Sequence, residues 1–213
     1  MVTLPDIIVC NDNEVKINSY VLKKGEFSVV IDPNNFEEIS KVIDKTKLEY
    51  IFVTHEHFDH ILGVDKLREK YGAKVIAQQK ASLNFGSSSK NMSKFSELIY
   101  KFMKANKIVN RGEVIIKPAD TVFDDKFILN WHGLEFKFFH TPGHSDGSCV
   151  IILDKLLFAG DSLFSGYVEP FFLNSKCKKI YESVSVPFFK SLDRNLLVKP
   201  GHFKEFLLSE KFQ

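Results

Sequence analysis

Three histidines and an aspartate occur within one short segment, which reads His55-Glu56-His57-Phe58-Asp59-His60. The residues just before it are aromatic and β-branched and too few for a helix, so we predict a strand over residues 50–54. Alternate side chains of an extended segment share a face, which allows His55 and His57 to bind one metal ion together. Asp59 and His60 follow in a predicted turn, where they can reach a second ion.

A helical zinc motif is a competing interpretation of this segment. In His-Glu-x-x-His motifs the two histidines lie four residues apart on a helix and the glutamate acts as general base. The residue four positions after His55 is Asp59, and the segment follows a predicted strand, so this motif is excluded. Apolar residues recurring three to four positions apart predict a helix only further on, over residues 61–71. A polar turn with coincidental histidines is disfavoured, because imidazoles rarely cluster so densely without binding metal.

Further side chains that could bind metal occur in the second half of the chain. His144, Asp161 and His202 each come shortly after an apolar run and a Gly or Pro residue, the runs being strands predicted at about residues 134–140, 156–159 and 196–198. Loops at strand ends are free to supply chemistry while the sheet holds them still. We therefore predict that these residues share one site with the histidine-rich segment.

Composition limits the partners that this site can serve. The chain has 213 residues, 44% of them hydrophobic and 26% charged. A domain of that length buries roughly 70% of its unfolded surface, so a full core is available. The net charge of +2 is too small to indicate a nucleic-acid or membrane partner, and we expect a small-molecule substrate. The sequence does not predict an oligomeric state.

Cysteine usage and the start of the chain bear on location. The three cysteines lie far apart and form no Cys-x-x-Cys pair, which is typical of a reducing compartment: Cys10, Cys149 and Cys177. The first ten residues lack a basic region followed by a long apolar stretch, and no later run reaches membrane-spanning length. We therefore predict a cytoplasmic protein.

The ordered series of metal-binding residues resembles the metallo-β-lactamase superfamily. The words Thr-His-x-His-x-Asp-His, His-Thr-Pro-Gly-His and Gly-Asp-x-Leu-Phe resemble its glyoxalase II branch, and the resemblance runs from about residue 18 to residue 202. It implies an α/β fold, a four-layer αββα sandwich of two mixed sheets flanked by helices, as one domain over residues 1–213. It also implies a binuclear site in which His55, His57 and His144 bind one ion, Asp59, His60 and His202 bind the other, and Asp161 bridges both.

The chemistry of such a site is that of a hydrolase. Three neutral imidazoles leave a fourth tetrahedral position open, as catalytic zinc sites do. Two ions about 3.5–4 Å apart can share a hydroxide that is nucleophilic at neutral pH. Asp59 is the candidate catalytic residue, because it can orient this hydroxide or carry its proton. The nitrogen and oxygen ligands suit zinc best and also allow iron or manganese.

Differences between this sequence and the motifs of related enzymes limit the range of substrates that we expect. The best-known metallo-β-lactamases have Cys at the position of Asp161, and flavodiiron reductases have Glu at the position of His57, so neither activity is expected. The Gly-Arg that usually follows Gly-Asp-x-Leu-Phe in glyoxalase II is replaced here by residues 166–169, and Phe203 follows Pro-Gly-His instead of glycine. About eleven residues follow His202, without the basic helical domain that binds glutathione. We predict a small thioester or ester substrate, and glutathione thioesters need not be preferred.

Several alternatives remain at this stage. Within the same superfamily they are a lactonase, a phosphodiesterase or nuclease, and an iron persulfide dioxygenase. The alternative that is not an enzyme is a binding protein in which the metal ions only stabilise the fold or a partner surface. Residues 160–163 also spell the Gly-Asp-Ser-Leu word of serine esterases, but those enzymes need an Asp three residues before the histidine, and Lys199 stands three before His202.

Four weaker candidates complete the predicted site. Asp32 and His140 could orient the metal ligands from behind, as hydrogen-bond partners of ligands often do. A simple Asp-Pro turn is an equal alternative for Asp32, and a core position is an alternative for His140. Asn84 and Tyr167 could line the pocket.

Overall fold

A computed structural model describes residues 3–11, 16–102, 108, 110–166 and 168–212 of the chain. Its strands form two six-stranded mixed sheets, one from each half of the chain. The strands of the first sheet lie in sequence order, β1 to β6: Asp6–Asn11, Asn18–Lys24, Phe27–Ile31, Lys47–Val53, Lys74–Gln78 and Thr121–Phe123. In this sheet β1 to β3 are antiparallel neighbours, while β3 to β6 run parallel.

The second sheet has the strand order β12-β11-β10-β9-β8-β7. In chain order, β7 to β12 are Lys126–Trp131, Leu134–His140, Cys149–Leu153, Leu156–Gly160, Leu197–Pro200 and Phe206–Leu207. All neighbours are antiparallel except β10 and β11, which run parallel. The β7–β8 hairpin turns at His132 and Gly133, which both have positive φ, as a two-residue hairpin loop requires.

Helices connect the parallel strands and cover the outer faces of the sheets. The α-helices, α1 to α7, are Phe36–Ile43, Phe58–Ile61, Val64–Tyr71, Gln79–Asn84, Ser96–Phe102, Ser175–Ile180 and Val186–Ser191. Short 3₁₀ turns lie at Ser93–Phe95 and Leu208–Glu210, and a π-helical turn at Tyr181–Ser185 joins α6 to α7. Among the described residues, no helix is long and apolar enough to cross a membrane.

The apolar residues separate into layers that follow the alternation of the strands. The inner faces of the two sheets pack through an aromatic cluster in which the ring of Phe52 lies 5.1 Å from that of Phe136 and 5.0 Å from that of Phe138. The outer face of the first sheet packs with α1 and α3, and that of the second with the helical segment that contains Tyr181 and Phe189. The predicted αββα sandwich is therefore confirmed.

The prediction for residues 58–71 was wrong in two respects. Asp59 and His60 lie in the short helix α2 and not in a turn, and the buried ring of Phe58, the first residue of that helix, packs against Tyr100. The predicted helix over 61–71 is interrupted at Gly63, whose N–H donates to the carbonyl of Pro33 over 2.8 Å. A side chain at position 63 would crowd that carbonyl.

Candidate metal centre

Four loops that follow β4, β8, β10 and β11 meet at one edge of the sandwich. They bring six of the seven predicted ligands into two groups of three, and each group combines residues that follow strands of both sheets. In the first group, ligand atoms of His55, His57 and His144 lie within 4.8 Å of one another. In the second, ligand atoms of Asp59, His60 and His202 satisfy the same distance.

Asp161 lies between the two groups. Its Oδ1 is 3.4 Å from His60 Nε2, and its Oδ2 is 3.5 Å from His202 Nε2, both in the second group. The same Oδ2 is 3.7 Å from Nε2 of His144, in the first group. One carboxylate therefore reaches ligands of both groups, as the predicted bridging role requires.

The backbone around Asp161 leaves no room for additional side-chain atoms. Gly160 has a φ of +48°, and a Cβ there would collide with the Thr54 hydroxyl. A Cβ at Gly201 would collide with Asp161 Oδ1 and lie 2.7 Å from the His60 ring. Both glycines are thus required by the close approach of two ligand loops.

Asp32 orients the ligands that follow β4. The carboxylate is buried, and it accepts from Thr54 N at 2.7 Å, from Thr54 Oγ1 at 2.6 Å and from His60 Nδ1 at 3.0 Å. The Thr54 hydroxyl, having donated its proton to Asp32, is left to accept from His55 Nδ1 over 3.1 Å. Because both Nδ1 atoms are engaged in this way, the Nε2 atoms of His55 and His60 are the ones available to a cation.

A second buried carboxylate, Glu56, holds the loop that carries His144. Its Oε2 accepts from Ser145 Oγ at 2.7 Å, and its Oε1 accepts from Asn84 Nδ2 at 2.7 Å. His144 itself donates from Nδ1 to the carbonyl of Phe171 over 2.9 Å, which directs its Nε2 toward His57 Nδ1, 3.0 Å away. Sequence reasoning missed the role of Glu56, since its position between two ligands carries no signal of what it contacts 89 residues later.

The His202 loop is fixed by the first sheet. Asn18 N donates to the carbonyl of Gly201 at 2.7 Å, and Asn18 Nδ2 donates to the carbonyl of Pro200 at 3.0 Å. The Tyr20 hydroxyl donates to that same Pro200 carbonyl over 2.7 Å. These bonds cross from one sheet to the other, so they hold His202 in register with ligands that follow β4.

Three buried polar atoms of the site make no regular hydrogen bond to the described residues: His55 Nε2, His60 Nε2 and Asp161 Oδ1. Of these, His60 Nε2 and Asp161 Oδ1 face each other as an ion pair 3.4 Å apart. Buried polar atoms almost always have a hydrogen-bond partner, so a cluster of buried atoms without one indicates a missing partner. All three atoms belong to residue types that bind divalent transition metals, and they lie in the two ligand groups or in Asp161 between them. The residues present therefore fit a pair of metal ions.

Electrostatics prepare the first group to bind a cation. Burial lowers the pKa of His57 to about 4 and that of His144 to about 4, and the imidazole of each opposes protonation of its neighbours. Burial, reinforced by the surrounding imidazoles, also places the pKa of His55 well below its ordinary value. At neutral pH the imidazoles of the first group are therefore uncharged, which is the form that binds metal.

The second group is more highly charged. Although burial opposes it, the carboxylates of Asp161, Asp32 and Asp59 raise the pKa of His60 well above its ordinary value. Asp161 and Asp59 likewise raise the pKa of His202 against the effect of burial. Conversely, these histidines hold the pKa values of Asp59 and Asp161 below their ordinary range. A cation entering this group would displace protons from His60 and His202.

The weaker candidates differ in where they lie. His140 Nε2 bonds to the carbonyl of Asp146 over 3.0 Å, so its contact with the site runs through the turn that carries His144. Asn84 contacts Glu56, as described above. Tyr167 lies outside the described residues. Ser162 is buried, and its carbonyl accepts from the Tyr181 hydroxyl at 2.7 Å.

Asp32 also falls within 4.8 Å of His55 and His60, as a possible third group. Its two oxygens already accept three hydrogen bonds, from Thr54 and His60. We therefore assign it an orienting role and not a ligand role.

Comparison with known proteins gives a consistent group of relatives. Residues 12–184 match the family model described as the metallo-beta-lactamase superfamily. A hydroxyacylglutathione hydrolase of Buchnera aphidicola is 32% identical over 97% of this chain, which spans 67% of that protein. A probable metallo-hydrolase of Streptococcus pyogenes is 31% identical over 87% of this chain and 78% of its own length. The crystal structure of a B3 metallo-β-lactamase aligns with a TM-score of 0.77 over 97% of this chain and 96% of its own, at 24% identity, a likeness that concerns the fold alone.

Proposed function

This chain belongs to the metallo-β-lactamase superfamily, and we propose that it is a metal-dependent hydrolase acting on a small thioester or ester. It would hold two divalent metal ions, with zinc the first candidate and iron or manganese the alternatives. The first ion would be held by His55, His57 and His144. The second would be held by Asp59, His60 and His202, with Asp161 shared.

The observation that carries this proposal is the buried cluster in which His55, His57 and His144 form one group, Asp59, His60 and His202 form another, and the Asp161 carboxylate lies between the two. Within this cluster His55 Nε2 is buried with no hydrogen-bond partner among the described residues, and leaving such an atom unpaired costs about 1–3 kcal/mol. Structural zinc sites are usually closed tetrahedra rich in cysteine, whereas this cluster contains none and has seven ligands. A catalytic pair of ions therefore explains the cluster better than a structural brace.

When bound, such a pair of ions supplies Lewis-acid polarisation of a carbonyl oxygen and a nucleophile at neutral pH. The chain itself positions the reacting groups. Asp59 Oδ2 lies 3.4 Å from His202 Nε2, and although burial opposes it, the neighbouring histidines lower its pKa and keep it ionised, so it can accept a hydrogen bond from an attacking water and orient it. Asp161 fixes the spacing of the two groups, and Asp32 and Glu56 keep the imidazoles in position.

The substrate class is inferred from relatives and from the site. The name of the Buchnera relative, a hydroxyacylglutathione hydrolase, indicates thioester cleavage by that protein. A carbonyl carbon attached to a good leaving group needs only polarisation and a positioned nucleophile, both of which this cluster could provide. We therefore favour activated thioesters and esters over lactones, β-lactams and phosphodiesters.

Metal analysis joined to a substrate panel tests the proposal. Protein purified without chelator should contain close to two transition-metal ions per chain, and removing them should abolish activity and lower the melting temperature. Comparing kcat/KM across thioesters, esters, lactones, β-lactams and phosphodiesters should rank a thioester or ester first. A fully active metal-free protein would refute the metal mechanism. A phosphodiester ranking first would redirect the assignment to nucleases.

A further inference from the structure

An aromatic side chain stands directly beside the second ligand group. Phe203 follows His202, its ring centroid is 6.2 Å from that of His202, and 53% of its surface is exposed. It packs edge-on against Phe164 with centroids 5.5 Å apart and an interplanar angle of 81°. Phe164 comes from the loop that carries Asp161, is 6% exposed, and lies 6.5 Å from the His202 ring. Two ligand loops therefore each contribute a phenylalanine to one apolar surface.

The backbone holds Phe203 in an unusual conformation. Its φ is +70°, a left-handed value that favours glycine and is rare for a bulky residue. The carbonyl of Phe203 accepts from Asn18 Nδ2 at 2.8 Å, and the same amide group also donates to Pro200. Strained conformations persist where the surroundings over-determine them, and they cluster at functional sites. Here the strain keeps an exposed aromatic ring at a fixed distance from a ligand.

A second exposed aromatic residue accompanies the first ligand group. Phe171 accepts the hydrogen bond from His144 Nδ1 through its carbonyl, and 53% of its surface is exposed. Leu173, two residues on, is 65% exposed. Phe171 is thus tied to the first ligand group through its carbonyl, whereas Phe203 and Phe164 are the rings that lie near the second.

We propose that Phe203 determines specificity by binding an apolar substituent of the thioester or ester, with Phe164 supporting its ring. The inference rests on the proposed hydrolase function and deepens it. The expected substrates are thioesters or esters that carry an aliphatic or aromatic group next to the scissile bond. An apolar surface fixed beside a reacting carbonyl gains binding free energy with every buried methylene.

Two substrate series separate the acyl side from the leaving-group side. The first varies acyl length from acetyl to octanoyl on N-acetylcysteamine, and the second varies the thiol on a constant acetyl group. In one series kcat/KM should rise about two- to fourfold per added methylene. Phe203→Gly, which suits the positive φ but lacks the ring, should lose most of that rise. Phe203→Asn, also tolerant of a left-handed backbone, should behave in the same way.

Leu207→Ser supplies the matched control. Leu207 is an exposed apolar residue on β12, paired with Leu197 at the end of β11 away from His202. The control should keep the wild-type dependence on chain length, and metal content and melting temperature should be measured for every variant. A flat profile in the wild type, or an unchanged slope in a fully metallated Phe203→Gly protein, would overturn the inference while the hydrolase proposal stands. A metallated protein that cleaves no thioester or ester would overturn both.

Discussion

Replacing Asp32 with asparagine tests how the centre is oriented. Asp32 has a φ of +51°, and asparagine tolerates this left-handed backbone, so the main chain should be preserved. The Asn oxygen can still accept from Thr54 N. Its amide group would replace Oδ2, to which the Thr54 hydroxyl and His60 Nδ1 now donate. His60 could then bond to the amide only by losing its Nδ1 proton, which moves the proton to Nε2, the atom needed for a cation.

The expected magnitude follows from the hydrogen bond that is lost. A hydrogen bond to a charged group contributes about 1.5–3 kcal/mol. At about 1.4 kcal/mol per tenfold change, this weakens the ion held by His60 roughly 10- to 150-fold. That range agrees with the roughly 10- to 100-fold loss of metal affinity that typically follows when a hydrogen-bond partner of a metal ligand is replaced. The first ion should be weakened less, because Asp32 reaches only one of its three ligands, His55, and reaches it only through the Thr54 hydroxyl.

The assay is a competitive metal titration against a chromophoric chelator, read as two stepwise dissociation constants, with activity followed in parallel. Asp154→Asn is the matched control, since Asp154 has the same φ of +51° but lies on the exposed β9–β10 turn. The control should leave both constants unchanged. The reasoning is refuted if Asp32→Asn binds both ions as tightly as the wild type, or if both constants weaken equally.

Two further predictions concern the bridging carboxylate and pH. Asp161→Ala should lower metal occupancy and kcat by orders of magnitude, whereas Ser162→Ala should cost little activity. If Ser162→Ala were inactive but fully metallated, and a fluorophosphonate labelled the wild type covalently, the nucleophile would instead be a serine. Because His57 and His144 have pKa values of about 4, metal affinity at the first group should change little between about pH 6 and about pH 8. The raised pKa values of His60 and His202 mean that protons compete at the second group, so its affinity should rise with pH by up to about tenfold per unit for each proton displaced. Calorimetry in buffers of different ionisation enthalpy measures this release, and equal pH slopes for the two ions would contradict the argument.

The layered fold was predicted from the resemblance to the metallo-β-lactamase superfamily, whereas individual strands were predicted from local signals. The strand over 134–140 alternates apolar and polar residues, and the structure has β8 at Leu134–His140. The short edge strand β12, Phe206–Leu207, was not predicted, since two residues carry no measurable periodicity. Helix α4 was missed for a related reason, being a single short segment that starts beside the capping side chain of Gln78.

The clustering of the candidate ligands could be predicted because their types and order are themselves the signal, whereas their orientation could not. Asp32 could equally have been a simple turn residue, and only its contact with His60, 28 positions away, gives it a role. The contact of Glu56 with Ser145 is of the same kind. The first pairing depends on how β3 and β4 align within one sheet and the second on how the two sheets dock, and no local pattern encodes either.

The division of the chain between the two sheets has a consequence for assembly. Strands β1 to β6 all precede residue 124, and β7 to β12 all follow residue 125. Each ligand group takes two residues from the first half and a histidine from the second, His144 or His202. A partly synthesised chain that has emerged only through β6 can therefore complete neither group. Metal binding would therefore stabilise only chains in which the two sheets have already packed together, because its free energy is available only when both halves supply their ligands. Loss of the ions should destabilise the packing of one sheet against the other before it destabilises either sheet itself.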